Sequence, residues 1–310
     1  MSKIRLPWTL QGSDFSQPGW HTQPTTAYQL MFEFLLLSPS YELARKARTD
    51  GLSKEEIKQT PTDFDQVLAT FDLLGDVNCI LFRQWWLKRG LSVFGNPYTQ
   101  PKLHQVALLD NGQETDIADI SQKIKLNLMD QRESEGLSAS LLVSLPLMSK
   151  RSEIIRQVRS LLDQYDDFSE YKERSPKIKI MGKRFHPNAM LKGLRLLWFK
   201  AAKPDWENWR LGAKARLSDS YSSVLDPKAP RRPSNPTEMD DRITMGKITY
   251  RSLIRFELIA ENAARGRFPC AEPVASVEFK YKEIAQRLKT NSKWIKNYKA
   301  NWRSTNFTNE

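Results

Sequence analysis

The chain of 310 residues is 40 % hydrophobic and 27 % charged, and its 48 Lys/Arg against 36 Asp/Glu give a net charge of +12. That composition excludes a disordered polyelectrolyte and supplies apolar material for two or three cores. Two distant cysteines, Cys79 and Cys270, and three scattered histidines exclude a disulfide framework and any recognisable zinc spacing.

Apolar runs such as LMFEFLLL and SLLVSLPL are too short to cross a bilayer, and the first residues show no secretion-signal pattern. A cytoplasmic protein without a membrane partner is expected. Residues 1–120 carry 11 Lys/Arg against 14 Asp/Glu, whereas the remaining 190 carry 37 against 22. The asymmetry predicts a neutral-to-acidic N-terminal module and a basic remainder, commonly the footprint of a nucleic-acid partner and less often of an anionic membrane or an acidic protein, with solubility as the plain alternative.

Residues 1–24, rich in Pro, Gly and Ser around Trp8 and Trp20, read as an extended arm. From Thr25, the spacing of Tyr28, Met31, Phe32, Leu35 and Leu36 predicts a helix that stops at Pro39. A second helix is expected in YELARKAR. Residues 62–90 read as two more, broken at Gly75 and closed by a C-cap at Gly90 behind Lys88 and Arg89. Phe32, Phe34, Tyr41, Phe64, Phe71, Trp85, Trp86 and Phe94 form the expected aromatic core of an N-terminal module over 1–115. This module is also the expected surface for a homo-oligomer or a protein partner.

A mixed α/β middle domain is expected over 116–225. Short strands are predicted in HQVALL (104–109), SASLLVSLPL (138–147) and KIKIM (177–181). A helix capped by Ser149 or Ser152 would present Ile154, Ile155, Val158, Leu161, Leu162 and Tyr165. Another is expected in NAMLKGLRLLWFKAA, ended by Pro204, and a third from Asp205 as N-cap. Residues 226–238, DPKAPRRPSNPTE, hold four prolines and no large apolar residue, which predicts an extended linker. The C-terminal module over 239–310 opens with a helix closed by Gly266 and Pro269.

The final stretch, YKEIAQRLKTNSKWIKNYKANW (281–302), poses the sharpest choice. Tyr281, Ile284, Ala285 and Leu288 make one helical face; a polar break is expected at residues 289–291, then a second helix with Ile295, Tyr298 and Trp302 inward. The stretch resembles the helix-turn-helix family. Ala285 stands at the small position of the first helix, Ile295 at the β-branched position ten residues on, and Ile284 and Leu288 form the apolar pair. Where that family's turn carries Gly, this chain has Lys289. The resemblance implies a DNA-reading second helix, with Lys289, Asn291, Ser292, Lys293, Lys296, Asn297, Lys299 and Arg303 as candidate ligands. Across 281–303 seven Lys/Arg stand against one acid, Glu283. The other reading of the same residues is a plain helical hairpin that seals a core.

Residues 183–216 form a second basic patch, nine Lys/Arg against Asp205 and Glu207, interleaved with Trp198, Phe199, Trp206 and Trp209. Lys183, Arg184, Lys192, Arg195 and Lys200 are its candidate phosphate ligands; the aromatics either stack on bases or fill a core. Asp163, Asp166, Asp167 and Glu170 could hold Mg²⁺ for a nuclease, but no second cluster completes a site, and a solvated loop fits them better. His104 and His186 have no nucleophile or carboxylate at a catalytic spacing, and no phosphate loop, dinucleotide fingerprint or nucleophile elbow is present. No catalytic residue, metal ligand or cofactor is assigned.

Glu33, Phe34, Leu35, Pro39 and Tyr41, within FEFLLLSPSYELA, resemble the N-terminal module of proteobacterial transcriptional regulator-like proteins. That resemblance covers about the first fifth of the chain. It implies a bacterial regulator from mobile elements or their neighbourhoods, and no catalytic residues.

The expectation is therefore a mainly α, multi-domain protein with a few short β-strands in its middle and a C-terminal helix-turn-helix. It would bind double-stranded DNA, with RNA the alternative polymer, as a sequence-specific regulator or a replication or mobile-element initiator. The alternative is a non-catalytic subunit of a larger nucleoprotein complex.

Overall fold

The computed structural model describes residues 15, 18–95, 97, 103–109, 116–132, 135, 140–168, 176–181, 185–275 and 277–307, the side chains of 129, 130, 166–168, 299 and 302–307 excepted. The chain forms two compact units, residues 1–93 with 177–310, and residues 94–176. It is mainly helical, and no strand forms among the described residues.

Helix α1 (Thr26–Leu37) is largely apolar, with Leu30, Met31 and Phe34 fully buried and even Glu33 enclosed, so it sits at the centre of the larger unit. Pro39 ends it as expected, and the same turn starts α2 (Pro39–Thr49). Ser38 is extended, and its hydroxyl accepts from Tyr41 N–H, with Pro39 at the first helical position. A capping box between Ser53 and Glu56 opens α3 (Lys54–Gln59). Helix α4 (Phe64–Leu74) ends at Gly75 in a positive-φ conformation (φ 71°). The Trp85 indole and the Tyr41 hydroxyl donate to the carbonyls of Leu74 and Gly75, which satisfies the end of α4.

Gly90 is not the expected C-cap. Helix α5 (Phe82–Trp85) runs through a π-helical turn (Trp86–Gly90) into α6 (Leu91–Phe94) without a stop. A Cβ at position 90 would lie 2.3 Å from the Trp86 ring, so glycine serves indole packing rather than helix termination. Of the expected aromatic core, all members are buried except Phe64, which is half-buried.

The smaller unit contains α7 (Ile117–Leu126), capped by Asp116, and α8 (Arg151–Leu162). Neither helix has a buried residue. The strands expected at 104–109 and 138–147 are absent from their described residues. Leu141, Leu142, Val143, Leu145 and Leu147 are solvent-exposed there, and with no strand to pair with among the described residues, their apolar run builds no ladder. The third expected strand, 177–181, reduces to an isolated parallel bridge between Ile180 and Phe268.

In the larger unit, α9 (Pro187–Ala202) packs against α1 and against three later helices, α10 (Asn208–Ala215), α12 (Pro236–Ala263) and α13 (Tyr281–Phe307); α11 (Asp219–Val224) packs on α10. Helix α10 starts three residues after the expected Asp205. Glu207 is its N-cap residue, and the carboxylate of Glu207 accepts from the Trp209 indole and from Arg210. Close helix crossings rest on two glycines. A Cβ on Gly193 would meet the Phe256 ring at 2.2 Å, and one on Gly212 would meet Thr249 Oγ1 at 2.0 Å.

The proline-rich segment 226–238 does not separate compact units, because both of its flanks belong to the larger one. Its last residues are already helical: Pro236 is the first residue of α12, and Asn235 caps it by accepting from Glu238 N–H at 2.8 Å. The exposed part is pinned. Arg210 donates to the carbonyls of Pro227 and Ala229, Arg242 donates to that of Arg231, and Ala229 packs on the cluster of Trp209, Ala213, Leu225 and Met245. Trypsin is expected to cut the exposed Arg231–Arg232 bond under limiting conditions. The two fragments should then co-elute on gel filtration in native buffer and separate only in denaturant. Separation in native buffer would restore the linker reading.

Candidate nucleic-acid interface

Helix α13 is one continuous helix of 27 residues. The polar break expected at 289–291, and with it the helix-turn-helix, is absent. The turn of that motif needs a residue that takes positive φ, and Lys289 takes it poorly where glycine takes it freely. Asn291, expected to contact bases, is buried instead, and its Oδ1 accepts from Cys79 N–H at 2.8 Å. That bond ties α13 to the loop between α4 and α5, so the most break-prone residue of the stretch acts as an anchor.

The inward face matches the spacing. Ile284, Ala285, Leu288 and Ile295 are buried. Tyr298 is half-buried, accepts from Gln84 Nε2 at 2.9 Å, and stacks on Trp294 with ring centroids 5.3 Å apart. Arg287 reaches back to the end of α1, where its Nη2 donates to Leu36 O at 3.2 Å, placing a cation at the negative end of that helix. Burial pushes the Arg287 guanidinium below its usual range, and Glu42 opposes that shift.

The outward face is a cationic stripe. Lys282, Lys289, Lys293 and Lys296 are exposed, and at 100° per residue they fall within one narrow sector. Asn297 and Gln286 flank them and are exposed as well. From Lys282 to Lys296 the stripe runs about 21 Å at 1.5 Å per residue. That matches roughly six base-pair steps of 3.4 Å. Among the described residues none of these four lysines is ion-paired. Ser292 is half-buried at the edge of the stripe. Lys299 and Arg303 have side chains outside the described set.

The second patch divides differently from its expectation. Lys183 and Arg184 lie outside the described residues. Lys192 is engaged by Asp219 at 3.0 Å, and Lys200 donates to Pro204 O at 2.7 Å. Trp198, Phe199 and Trp209 are core, so base stacking is closed to them. Trp209 lies between two guanidiniums, Arg210 at 4.5 Å and Arg242 at 4.2 Å from its ring centre. Trp206 stays half-exposed with Lys203 over its ring at 6.0 Å. Arg195 is half-buried, with its Nε enclosed and without a partner, and burial together with the nearby Arg216 disfavours its charge.

Among the described residues no group of three or more His, Cys, Asp or Glu is placed to hold a metal ion. The side chains of Asp166 and Asp167, and all of Glu170, lie outside that set. His104 contacts Glu135 at 2.6 Å, an acid that sequence spacing did not reveal. Both cysteines are free thiols, and no described helix is long and apolar enough to cross a membrane. Comparison with protein-family models, with curated proteins and with solved structures finds no match for this chain.

Proposed function

We propose that this chain binds double-stranded DNA by gripping the phosphate backbone with the lysine face of α13, and that it does so as a non-enzymatic component of a nucleoprotein assembly. The observation that carries the reading is the stripe itself: Lys282, Lys289, Lys293 and Lys296 project from one sector of a long helix, none of them ion-paired among the described residues, and the exposed acid of that helix, Glu283, lies outside the sector beside Lys280. A helix that only sealed the core would mix charge signs on its wet face. Lysine is a point charge suited to phosphate, whereas base reading favours Arg, Asn and Gln in bidentate geometry. The burial of Asn291 removes one of the two amides expected to read bases. A second reading, sequence-specific regulation, rests on Asn297, which remains exposed beside Lys293 and Lys296.

Affinity for a random duplex measured against salt tests the reading. Four phosphate contacts give a log–log slope of roughly −3 to −4. Lys293→Gln should lower that slope by about one and weaken all duplexes alike. A slope near zero in the wild type sinks the proposal. A strong preference for one selected site, lost in Asn297→Ala, would favour the regulator over the assembly component.

A further inference from the structure

The wet face of α12 carries a pattern that DNA binding does not use. Met239, Ile243, Tyr250 and Ile254 are 53, 45, 59 and 43 % exposed. They lie along one stripe about 22 Å long, while Met245, Thr249, Leu253 and Phe256 of the same helix are buried on its inner side. Gly246 stands at the centre of the stripe with nothing within 4 Å of where a Cβ would be.

We propose that this face is the seam of a two-fold symmetric homodimer, in which α12 packs antiparallel against α12 of a second copy about a point between Gly246 and Lys247. The spacing carries the inference. Met239 and Ile254 are equidistant from that point, and so are Ile243 and Tyr250. An antiparallel copy therefore places Met239 on Ile254 and Ile243 on Tyr250, twice each, with the bare backbone of Gly246 at the axis. Glycine there lets the two helices approach closely where side chains would otherwise collide.

The charges agree with the apolar pairs. Asp240 flanks the N-terminal half of the stripe, and Lys247, Arg251 and Arg255 flank its C-terminal half on the same side. In an antiparallel pair like flanks meet, so Asp240 of each copy faces the second copy's Arg251 and Arg255. A parallel pair would turn these flanks to opposite sides of the seam and leave Asp240 without its cationic partners. The complementarity is thus specific to a second copy in the antiparallel sense.

Sedimentation velocity on the full chain tests the seam. The mass is expected to pass from one chain to two as concentration rises through the micromolar range, where short seams associate. Ile243→Glu with Tyr250→Glu should hold the protein at one chain without changing the melting curve measured at concentrations where the wild type is also one chain, since both side chains are exposed. Cysteine scanning in a Cys79→Ser background then fixes the geometry. Gly246→Cys should cross-link to itself under mild oxidation. Met239→Cys should not, yet it should cross-link to Ile254→Cys when the two variants are mixed. A single-chain mass up to about 100 µM overturns the proposal. So does a dimer that survives the double glutamate variant, or one that cross-links through Met239→Cys alone. DNA affinity at the α13 face is read separately, so either reading can fail without the other.

Discussion

Glu261→Ala is expected to destabilise the larger unit by about 3–5 kcal/mol, enough to unfold it near physiological temperature. Glu261 is fully buried on α12, and its carboxylate gathers the corner between α1 and α2. It accepts from Ser38 Oγ at 2.6 Å, from Ser40 N–H at 3.2 Å and from Ser40 Oγ. One turn on, Arg265 donates to it at 3.3 Å, and also donates to Asp63 at 2.6 and 2.7 Å. Removing the carboxylate leaves buried hydroxyls without their acceptor and halves the compensation of a buried guanidinium. Glu261→Gln keeps one acceptor oxygen and the side-chain shape, so its loss should be clearly smaller. Urea melts of the two variants check the order; equal, small losses would show that the corner is held by packing alone.

The same network sets an acid limb. Hydrogen bonds from Arg265 hold the Asp63 carboxyl below its ordinary range. Its folded value thus lies below the unfolded value of about 3.9, so its contribution is present above that pH and is lost as pH falls through the folded value. Asp63→Asn should start from a lower plateau at neutral pH and fall less steeply below about pH 4, read by melting temperature against pH.

Helices with one dominant local signal were legible from sequence. Pro39 ended α1, Gly75 ended α4, and the inward set Ile284, Ala285, Leu288 and Ile295 came out of spacing alone. The errors share a cause: a residue with a strong backbone preference was claimed by a side chain that the preference does not take into account. Gly90 answers to the Trp86 ring one turn back, Asn291 to Cys79 N–H, and the backbone of segment 226–238, at Pro227, Ala229 and Arg231, to Arg210 and Arg242. The short apolar runs at 104–109 and 138–147 looked like strands, but apolar composition alone supplies no pairing partner. The lysine stripe was legible only in part, because its register depends on whether the helix breaks at 289–291, and nothing local decides that. The division into units was not legible. Met245, Thr249, Leu253, Phe256 and Ile259 on α12 demand a partner surface, and that surface lies on helices far away in sequence.

Two glycines on facing helices should respond oppositely to the same added methyl group. Gly212 lies on α10 where it crosses α12, and a Cβ there would stand 2.0 Å from Thr249 Oγ1 and 2.9 Å from Met245 Sδ. Both neighbours are fully buried, and Thr249 Oγ1 is already committed to Met245 O at 2.8 Å, so neither can move aside cheaply. Gly212→Ala should therefore cost about 1–3 kcal/mol through overpacking, outweighing the roughly 1 kcal/mol that alanine gains in helix propensity. Gly246, on α12 itself, faces open space, so Gly246→Ala should keep that gain and raise stability by about 0.5–1 kcal/mol. The melts belong at concentrations where the chain is monomeric, which removes any contribution from self-association. If Gly212→Ala is neutral, α10 and α12 do not cross as closely as described. The inner face of α12, which carries Glu261 and turns the lysine-bearing α13 toward the core through Tyr281 and Glu257, would then need a different account.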